Sequence, residues 1–392
     1  MFDEMEKIIF ASDFAPIRKF APVMKSEPAK IYGDLLPVLQ SADYSIVNLE
    51  SPLDSPDGLI AKSGAAFSGE LSHVSALTAG NFRAAILANN HTFDSNISGF
   101  VNTAKVLADN HISVVGAGKD IFEARKPLIF TLHGKKIALF AIAEGEDMWG
   151  AAPGKYGVRP WEVELLADEI RAARREFDII LVSAHCGLEY QPFPSFYVYE
   201  AFELWAQAGA DMIIGHHPHV PQGMTFFGKT PAYFSLGNFV FYQPNKLLHR
   251  KTGYFLEIGI DDSGICFHRA VPYRITDEGL RLLNEREQAD FQKLFAELSA
   301  PLQNKDSAEK AWHAVLAYNG IAGFQDELRR ILAVLESDPV KGAAMLRNRV
   351  TCIQHRSQWI DGTSRIVNGE ISDAPAELTA MVKRFMTEEV DS

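Results

Sequence analysis

Short apolar runs, each closed by a polar residue, recur through the first two thirds of the chain, and helical spacing dominates the last third. Residues 7–12, 44–48, 83–88 and 113–115 read as strands, with helical periodicity over 31–42 and 99–110 between them. Strand–helix alternation over short connections predicts right-handed βαβ units and a largely parallel sheet. A second set follows. Residues 128–132 and 136–143 flank a turn at His133-Gly134-Lys135, helices are predicted over 163–177 and 197–208, and strands over 179–183 and 212–214. From 225 to 274 the pattern is antiparallel, with turns at Phe227-Gly228-Lys229 and Asp262-Ser263-Gly264. Two mixed sheets facing each other between helical layers fit this count, an α/β class of fold. Past residue 274 the chain becomes charged and helical, over 277–298, 308–335, 339–354 and 376–389, with Gly320 and Gly323 separating two of the helices. Two domains are therefore expected, 1–274 and a C-terminal helical extension over 275–392. The apolar stripe Leu378, Met381, Val382 and Phe385 is expected to pack on its own domain.

Three of the apolar runs end in histidine: at Asn89-Asn90-His91, at Ser183-Ala184-His185 and at Gly215-His216-His217-Pro218-His219. In open α/β sheets the C-terminal strand ends line the ligand crevice, which places five of the twelve histidines to meet. Asp13 ends the first strand and Glu50 follows the second. Carboxylates, imidazoles and an amide oxygen form the ligand set of a divalent metal such as Mn, Fe, Co or Zn, in an open N/O site suited to catalysis. Taken singly, Asp13 is an ordinary cap, Glu50 a loop acid, Asn89-Asn90 turn chemistry and His185 a satisfied buried histidine. Three histidines within four positions at a strand end are not explained by packing. In His217-Pro218-His219 the proline stiffens the backbone and the i, i+2 pair faces one ion, leaving His216 turned away or in support of a ligand.

Charge narrows the partners. With 38 Lys+Arg against 50 Asp+Glu, the formal net charge is -12. Nucleic acid and anionic membrane surfaces both require a basic patch, so neither is expected as a partner. An anionic small molecule or polymer stays compatible, because a bound cation supplies the local charge. The acidic N-terminal residues Met1 to Glu6 lack the basic and apolar regions of a signal peptide. No apolar run reaches the roughly 18 residues of a membrane span, so no membrane insertion is expected. Cys186, Cys266 and Cys352 are odd in number, widely spaced and without a CxxC, against a disulfide framework or zinc ribbon. A reduced, cytoplasmic setting is expected. Cys186, beside His185, reads as a small apolar filler and not as a nucleophile. Glu189, Lys62 and Arg159 are pocket-rim candidates, Glu144, just after a strand, is a candidate to face the site, and Glu189 and His216 are candidates for contact with substrate. Oligomeric state is not legible.

Ordered motifs over 13–241 carry a resemblance. They are Asn48-Leu49-Glu50-Ser51-Pro52, Ala88-Asn89-Asn90-His91 with Asp94, Gly116-Ala117-Gly118, Ala184-His185-Cys186-Gly187-Leu188-Glu189-Tyr190, Gly209 to Val220 and Tyr233 to Phe241. The chain resembles the CapA (poly-γ-glutamate, capsule synthesis) family, a branch of the calcineurin-like metallophosphoesterase fold. That resemblance implies a four-layer αββα metallophosphatase-like sandwich with one or two metal ions between the sheets. It implies Asp13 as the first metal aspartate, Glu50 in the place of the bridging carboxylate, and Asn90, His185, His217 and His219 as the remaining ligands. His91 matches the catalytic histidine, a general acid, with Asp94 to orient it. Three departures stand out. Metallophosphoesterases carry Asp-x-His on the first strand where this chain has Asp13-Phe14-Ala15, a ligand fewer for one ion. Cys186 stands where the family often has Trp, and Asn96 where it usually has Gly. The expectation is a metal-dependent hydrolase. The other reading the resemblance allows is an accessory protein, non-catalytic or acting on an amide bond, that binds an anionic capsule polymer or its precursor.

Overall fold

The computed structural model describes residues 5–390. The first apolar runs become β1 (Glu6–Phe14), β2 (Tyr44–Leu49), β3 (Ala84–Ile86) and β4 (Ser113–Val115), parallel neighbours in that order. β1 and β2 are buried on both faces, which is why they read as continuous apolar runs. Next come β5 (Ala117–Gly118), β6 (Leu128–Leu132), β7 (Lys135–Ala143), β8 (Gly157–Val158), β9 (Ile179–His185), β10 (Met212–His216), β11 (Met224–Phe227) and β12 (Thr230–Tyr233). Of these, β5 and β8 form a short ribbon, and the others a mixed sheet in the order β11-β12-β10-β9-β7-β6. The hairpin of β13 (Thr252–Asp261) and β14 (Gly264–Ile275) returns to the first sheet, and β15 (Leu280–Leu282) forms its edge, giving the order β15-β14-β13-β1-β2-β3-β4.

Leu139, Leu181 and Ile214 of the second sheet pack in one core with Ile8, Phe10 and Ile46 of the first. The alternate residues Phe140, Val182 and Ile213 pack under helices Val163–Ala173 and Phe196–Ala208. Helices Phe20–Ser26, Val74–Ala79 and Asn96–Asp109 cover the first sheet through Phe20, Met24, Leu77 and Leu107, completing a four-layer αββα sandwich. The segment 225–274 is thus not one antiparallel unit. β11 and β12 belong to one sheet, where β12 runs parallel to β10, and β13 and β14 belong to the other. The chain crosses between them and bridges Asn238 to Asp13 on the way.

Three further elements differ from expectation. The helix over 31–42 is a short 3-10 helix, Pro28–Leu35, followed by Leu36–Gln40, because Gly33 takes φ 50°, ψ -131°. A Cβ there would lie 2.1 Å from the Leu280 carbonyl oxygen, so only glycine fits. The helix expected from 277 starts at Glu285, because Leu280–Leu282 pair with β14 instead. The helix over 339–354 ends at Thr351, turns at Cys352, and resumes as Ile353–Val367. Gly320 breaks the helical dihedrals (φ 57°, ψ -171°) within Lys305–Ser337, while Gly323 does not. The stripe of Ala376–Thr387 packs with Trp312 and Val315 through Val382 and Phe385, in a cluster that also holds Leu188, Phe193 and Val220 of the sandwich. The helical layer and the sandwich therefore share a core. Among the described residues no helix is long and apolar enough to cross a membrane.

Candidate metal centre

The C-terminal ends of β1, β2, β3, β9 and β10 open at one end of the sandwich. They bring Asp13, Glu50, Asn90, His91, His185, His217 and His219 together, all but the half-buried Asn90 buried. His217 and His219 both take positive φ (97° and 58°), a costly backbone turn that keeps the two imidazoles together, ring centroids 5.8 Å apart. Glu50 sits at the centre. Its Oε1 lies 3.4 Å from His185 Nε2, 3.7 Å from His219 Nε2 and 4.0 Å from His91 Nε2. Glu50, His217 and His219 each offer a ligand atom within 4.8 Å of the others.

In the two-ion arrangement that the resemblance allows, the candidate ligands around Glu50 fall into two halves, with His217 and His219, which form one cluster with Glu50, on either side of it. On one side stand Asp13 and His219. Asn48 Nδ2 donates to Asp13 Oδ1 (2.8 Å) and lies 3.2 Å from His185 Nδ1. Asn238 uses its Nδ2 to donate to the His219 carbonyl (3.0 Å), which turns its Oδ1 toward His219 Nδ1 at 2.9 Å. Asp13 Oδ2 lies 3.2 Å from the same Nδ1, so Nδ1–H is held between two acceptors and Nε2 faces Glu50. At residue 15 the Ala methyl is buried beside Ile17 and Phe241, and no ligand stands there.

On the other side stand Asn90, His185 and His217. Glu146 Oε2 accepts from Asn90 Nδ2 (2.9 Å), which turns Asn90 Oδ1 toward His185 Nε2 at 3.0 Å. Gln354 Nε2 donates to Glu146 Oε1 at 2.5 Å, so its Oε1 faces His217 Nε2 at 2.9 Å. His217 Nε2 therefore carries the proton and its Nδ1 lone pair faces the centre, 3.0 Å from His185 Nε2. The space between His185, His217, Glu146 and Gln354 is too tight for a water molecule. Asn90, Glu146 and Gln354 also line, with His91 and His219, a cavity of about 1070 Å³ between sandwich and helices.

The residues present fit a divalent cation. Both oxygens of Glu50 are buried without a hydrogen-bond donor, an arrangement that costs several kcal/mol unless a cation compensates it. Burial pushes Glu50 well above the usual carboxylate range, and burial with the neighbouring His217 holds His185 well below the usual imidazole range. Burial opposes a charge on His219 as well, but Glu50 and Asp13 outweigh it and raise this imidazole to about 10. The centre thus attracts positive charge at Glu50 and keeps His185 neutral, the form in which imidazole ligates metal.

His91 stands beside the centre. Its Nδ1 lies 2.6 Å from Asp94 Oδ2, so Nδ1–H donates there and Nε2 faces Glu50. Asp94 also accepts from the Phe67 amide (3.0 Å) and from Lys62 Nζ (2.9 Å), and Lys62 donates to the Asn90 carbonyl (2.8 Å) as well. The Phe67 ring stacks on His91 at 4.0 Å.

The remaining candidates separate. Glu189 lines the large cavity, 3.9 Å from His219 Nε2. Lys62 reaches the same cavity but is buried against Asp94, a deeper place than a rim. His216 is corrected as a substrate contact. As the last residue of β10 it is fully buried behind Asp13, Nδ1 3.7 Å from Oδ1, 3.2 Å from Ser12 Oγ and stacked near Phe10. Arg159 is also off the rim, buried in an ion pair with Glu169 at 2.5 Å. Glu144 faces the centre from the other side, lining the tight space with His185 and His217 and accepting from the Gly187 amide (3.1 Å) and the Tyr197 hydroxyl. Cys186 packs in the apolar layer under the helices, and burial raises its thiol well above the ordinary range. Asn238 and Glu146, which orient two ligands, were not singled out from the sequence. Asn238 sits inside a quoted motif, and Glu146 is two residues past Glu144, which was. Gln354 lies where no site residue was sought.

These features define an αββα sandwich with a candidate divalent-metal centre at its strand ends. The family description "Bacterial capsule synthesis protein PGA_cap" matches residues 7–243, and the chain belongs to that family. It is similar to PGA biosynthesis protein CapA of Bacillus subtilis (29% identical over 245 residues, 62% of this chain and 64% of the relative). It is also similar to capsule biosynthesis protein CapA of Bacillus anthracis (27% over 258 residues, 63% and 62%). The chain thus spans just under two thirds of the length of these curated relatives. Among solved structures it is similar to NAD nucleotidase of Haemophilus influenzae (15% identity, TM-score 0.42, 76% of this chain and 60% of that one). Another is a 5'-nucleotidase precursor of Thermus thermophilus (11%, TM-score 0.42, 75% and 58%). The family match contains every candidate ligand named above and Asn238, and ends before Gln354.

Proposed function

We propose that the chain is a metal-dependent hydrolase acting on phosphate esters, or a related polar bond, of an anionic substrate. The observation that carries this reading is Glu50, a fully buried carboxylate with no hydrogen-bond donor and imidazole nitrogens within 3.4–4.0 Å. Asp13, Glu50 and His219 would hold one ion, and Glu50, Asn90, His185 and His217 another, drawn from Mn, Zn, Fe or Co. When bound, such ions lower the pKa of a coordinated water and polarise the scissile group. The chain's own groups supply the rest. Asp94 accepts from the His91 Nδ1–H, so that Nε2, on the cavity wall, is the atom that would deliver a proton to the leaving group once His91 is protonated, a form that burial and Lys62 oppose and Asp94 supports. Lys62 fixes Asp94 and the Asn90 backbone together, which keeps the acid and a ligand in one geometry. Arg18, Arg250, Lys341 and Arg349 on the cavity wall favour an anionic substrate, with Glu189 at its inner edge. The net charge of -12 disfavours nucleic acid as that substrate, and the three free cysteines fit a cytoplasmic setting.

The test is turnover of the full chain, reconstituted with Mn or Zn, on a panel of phosphomonoesters and phosphodiesters. Metal-dependent turnover that disappears in His91→Ala is expected. A protein that retains no metal and turns over nothing on the panel defeats the reading. One observation favours a second role. The relatives are named for PGA and capsule biosynthesis, which suits an accessory that holds an anionic polymer in the same cavity. His91→Ala separates the two: a binder keeps its affinity for polyglutamate, and an enzyme loses turnover while keeping its metal.

A further inference from the structure

Glu146 is a buried carboxylate that the strand-end ligand set does not include. Its donors come mostly from the C-terminal helices. Gln354 Nε2 lies 2.5 Å from Oε1, Asn348 Nδ2 3.3 Å and His355 Nε2 3.7 Å. Asn348 is near the end of Pro339–Thr351, and Gln354 and His355 open Ile353–Val367. Cys352, at the corner between the helices, has extended dihedrals (φ -78°, ψ 129°), and its thiol is buried beside Glu144 and Glu146. This corner is pressed into the mouth of the sandwich, where Asn348 and Gln354 are each 1% exposed. On its far side, Glu146 fixes Asn90 through Nδ2, and Gln354 fixes His217 through Nε2.

We infer that the helix corner 348–355 is a working part of the metal centre: Gln354 and Glu146 are positioning residues that hold His217 and Asn90 in ligand geometry. Docking of the C-terminal helices and occupancy of the Asn90–His185–His217 half are therefore coupled. The inference rests on the metal-centre reading above. The geometry determines the orientations. The acceptor-only carboxylate of Glu146 forces the amide nitrogens of Asn90 and Gln354 toward itself. Both amide oxygens then face histidine nitrogens. Reversing either amide would set an oxygen against a carboxylate. Asn238 does the corresponding work for His219 from within the sandwich. The Asn90 half, by contrast, draws support from the C-terminal helices, outside the sandwich.

Loss of an outer hydrogen-bond partner typically costs about 10–100-fold in metal affinity. Gln354→Met in the full chain should therefore weaken one Co2+ site by that factor, followed by titration calorimetry and the d–d absorption of the bound ion, and leave the other site unchanged. The exchanged pair Glu146→Gln with Gln354→Glu keeps the charge, the acceptor for His217 and the acceptor for Asn90, and should restore the lost site. Wild-type Co2+ binding in Gln354→Met overturns the inference, as does an exchanged pair that folds like wild type without regaining the site. If Gln354→Met does not fold, hydrogen exchange of the wild-type chain decides. Mn2+ should slow exchange over 339–367, and unchanged exchange there in a chain that binds Mn2+ overturns the coupling. A wild-type chain that binds neither ion defeats the metal-centre reading itself, which is a different outcome from intact binding without coupling.

Discussion

The two halves of the centre share Glu50 and little else. The Asp13 half is built within the sandwich: strand ends supply Asp13 and His219, Asn48 and Asn238 orient them, and His219 faces an open cavity. The Asn90 half has more candidate ligands, a space beside His185 and His217 too tight for water, and braces from the C-terminal helices. In the proposed two-ion reading, the half with fewer candidate ligands meets the large cavity through His219, and the half with more meets it through Asn90 alone, with His185 and His217 facing the tight space behind. Glu189, 3.9 Å from His219, belongs to the exposed side.

The largest expected effect erases the comparison. Glu50→Gln removes the shared carboxylate, so both ions should be lost together, each by more than the roughly 10–100-fold that an outer partner contributes. Metal analysis of the purified variant checks this. Retention of one ion at full affinity would mean that the halves do not share Glu50. His91→Ala should treat the halves alike, leaving metal content unchanged and lowering kcat by about 10²–10⁴, the usual contribution of a general acid. A loss of metal in this variant would instead make His91 a ligand. Asn238→Ala should separate the halves. It leaves His219 Nδ1 with Asp13 Oδ2 (3.2 Å) as its one remaining acceptor and should weaken the Asp13 half alone by about tenfold or somewhat more, the mirror image of the change expected at Gln354. Co2+ titration of the two variants side by side reads this directly.

How much of this was legible in the sequence follows the same division. The strand ends were, because strands buried on both faces leave continuous apolar runs and the polar residue closing each run stands out against them. Asp13, Glu50, Asn90, His185, His217 and His219 could all be singled out in this way. The braces could not. Asn238 sits in an irregular crossing between sheets, where no period marks a side chain's direction. Glu144 and Glu146 flank Gly145, whose left-handed backbone (φ 70°) sends the two carboxylates to different partners. Helix Ile353–Val367 does not separate from its neighbour in the sequence because its fully buried positions are Gln354 and Gly362, and its apolar contacts, Trp359 and Ile366, are only partly buried. Polar burial that serves a site leaves no hydrophobic period behind it.

The smallest expected effect, and the one that sharpens the comparison most, is a gain. Ala15 lies two residues past Asp13, on the side of Phe14 where metallophosphoesterases of the Asp-x-His pattern carry a ligand. Its methyl is fully buried among Ile17, Phe241 and the partly buried Phe67. An imidazole introduced there has to displace these neighbours, and overpacking of that kind costs about 1–3 kcal/mol of stability. Against that, Ala15→His would add a neutral nitrogen ligand to the half that has fewer. If ligand number sets the asymmetry, Ala15→His should bind the ion of the Asp13 half several-fold more tightly, leave the Asn90 half unchanged, and lower Tm in the metal-free state. Excess Mn2+ should then recover part of that Tm, since an ion bound only by the folded chain stabilises it by mass action. If the added histidine changes neither affinity nor the metal dependence of Tm, access and not ligand number separates the halves, and the Asp13 half is open because of the cavity above it.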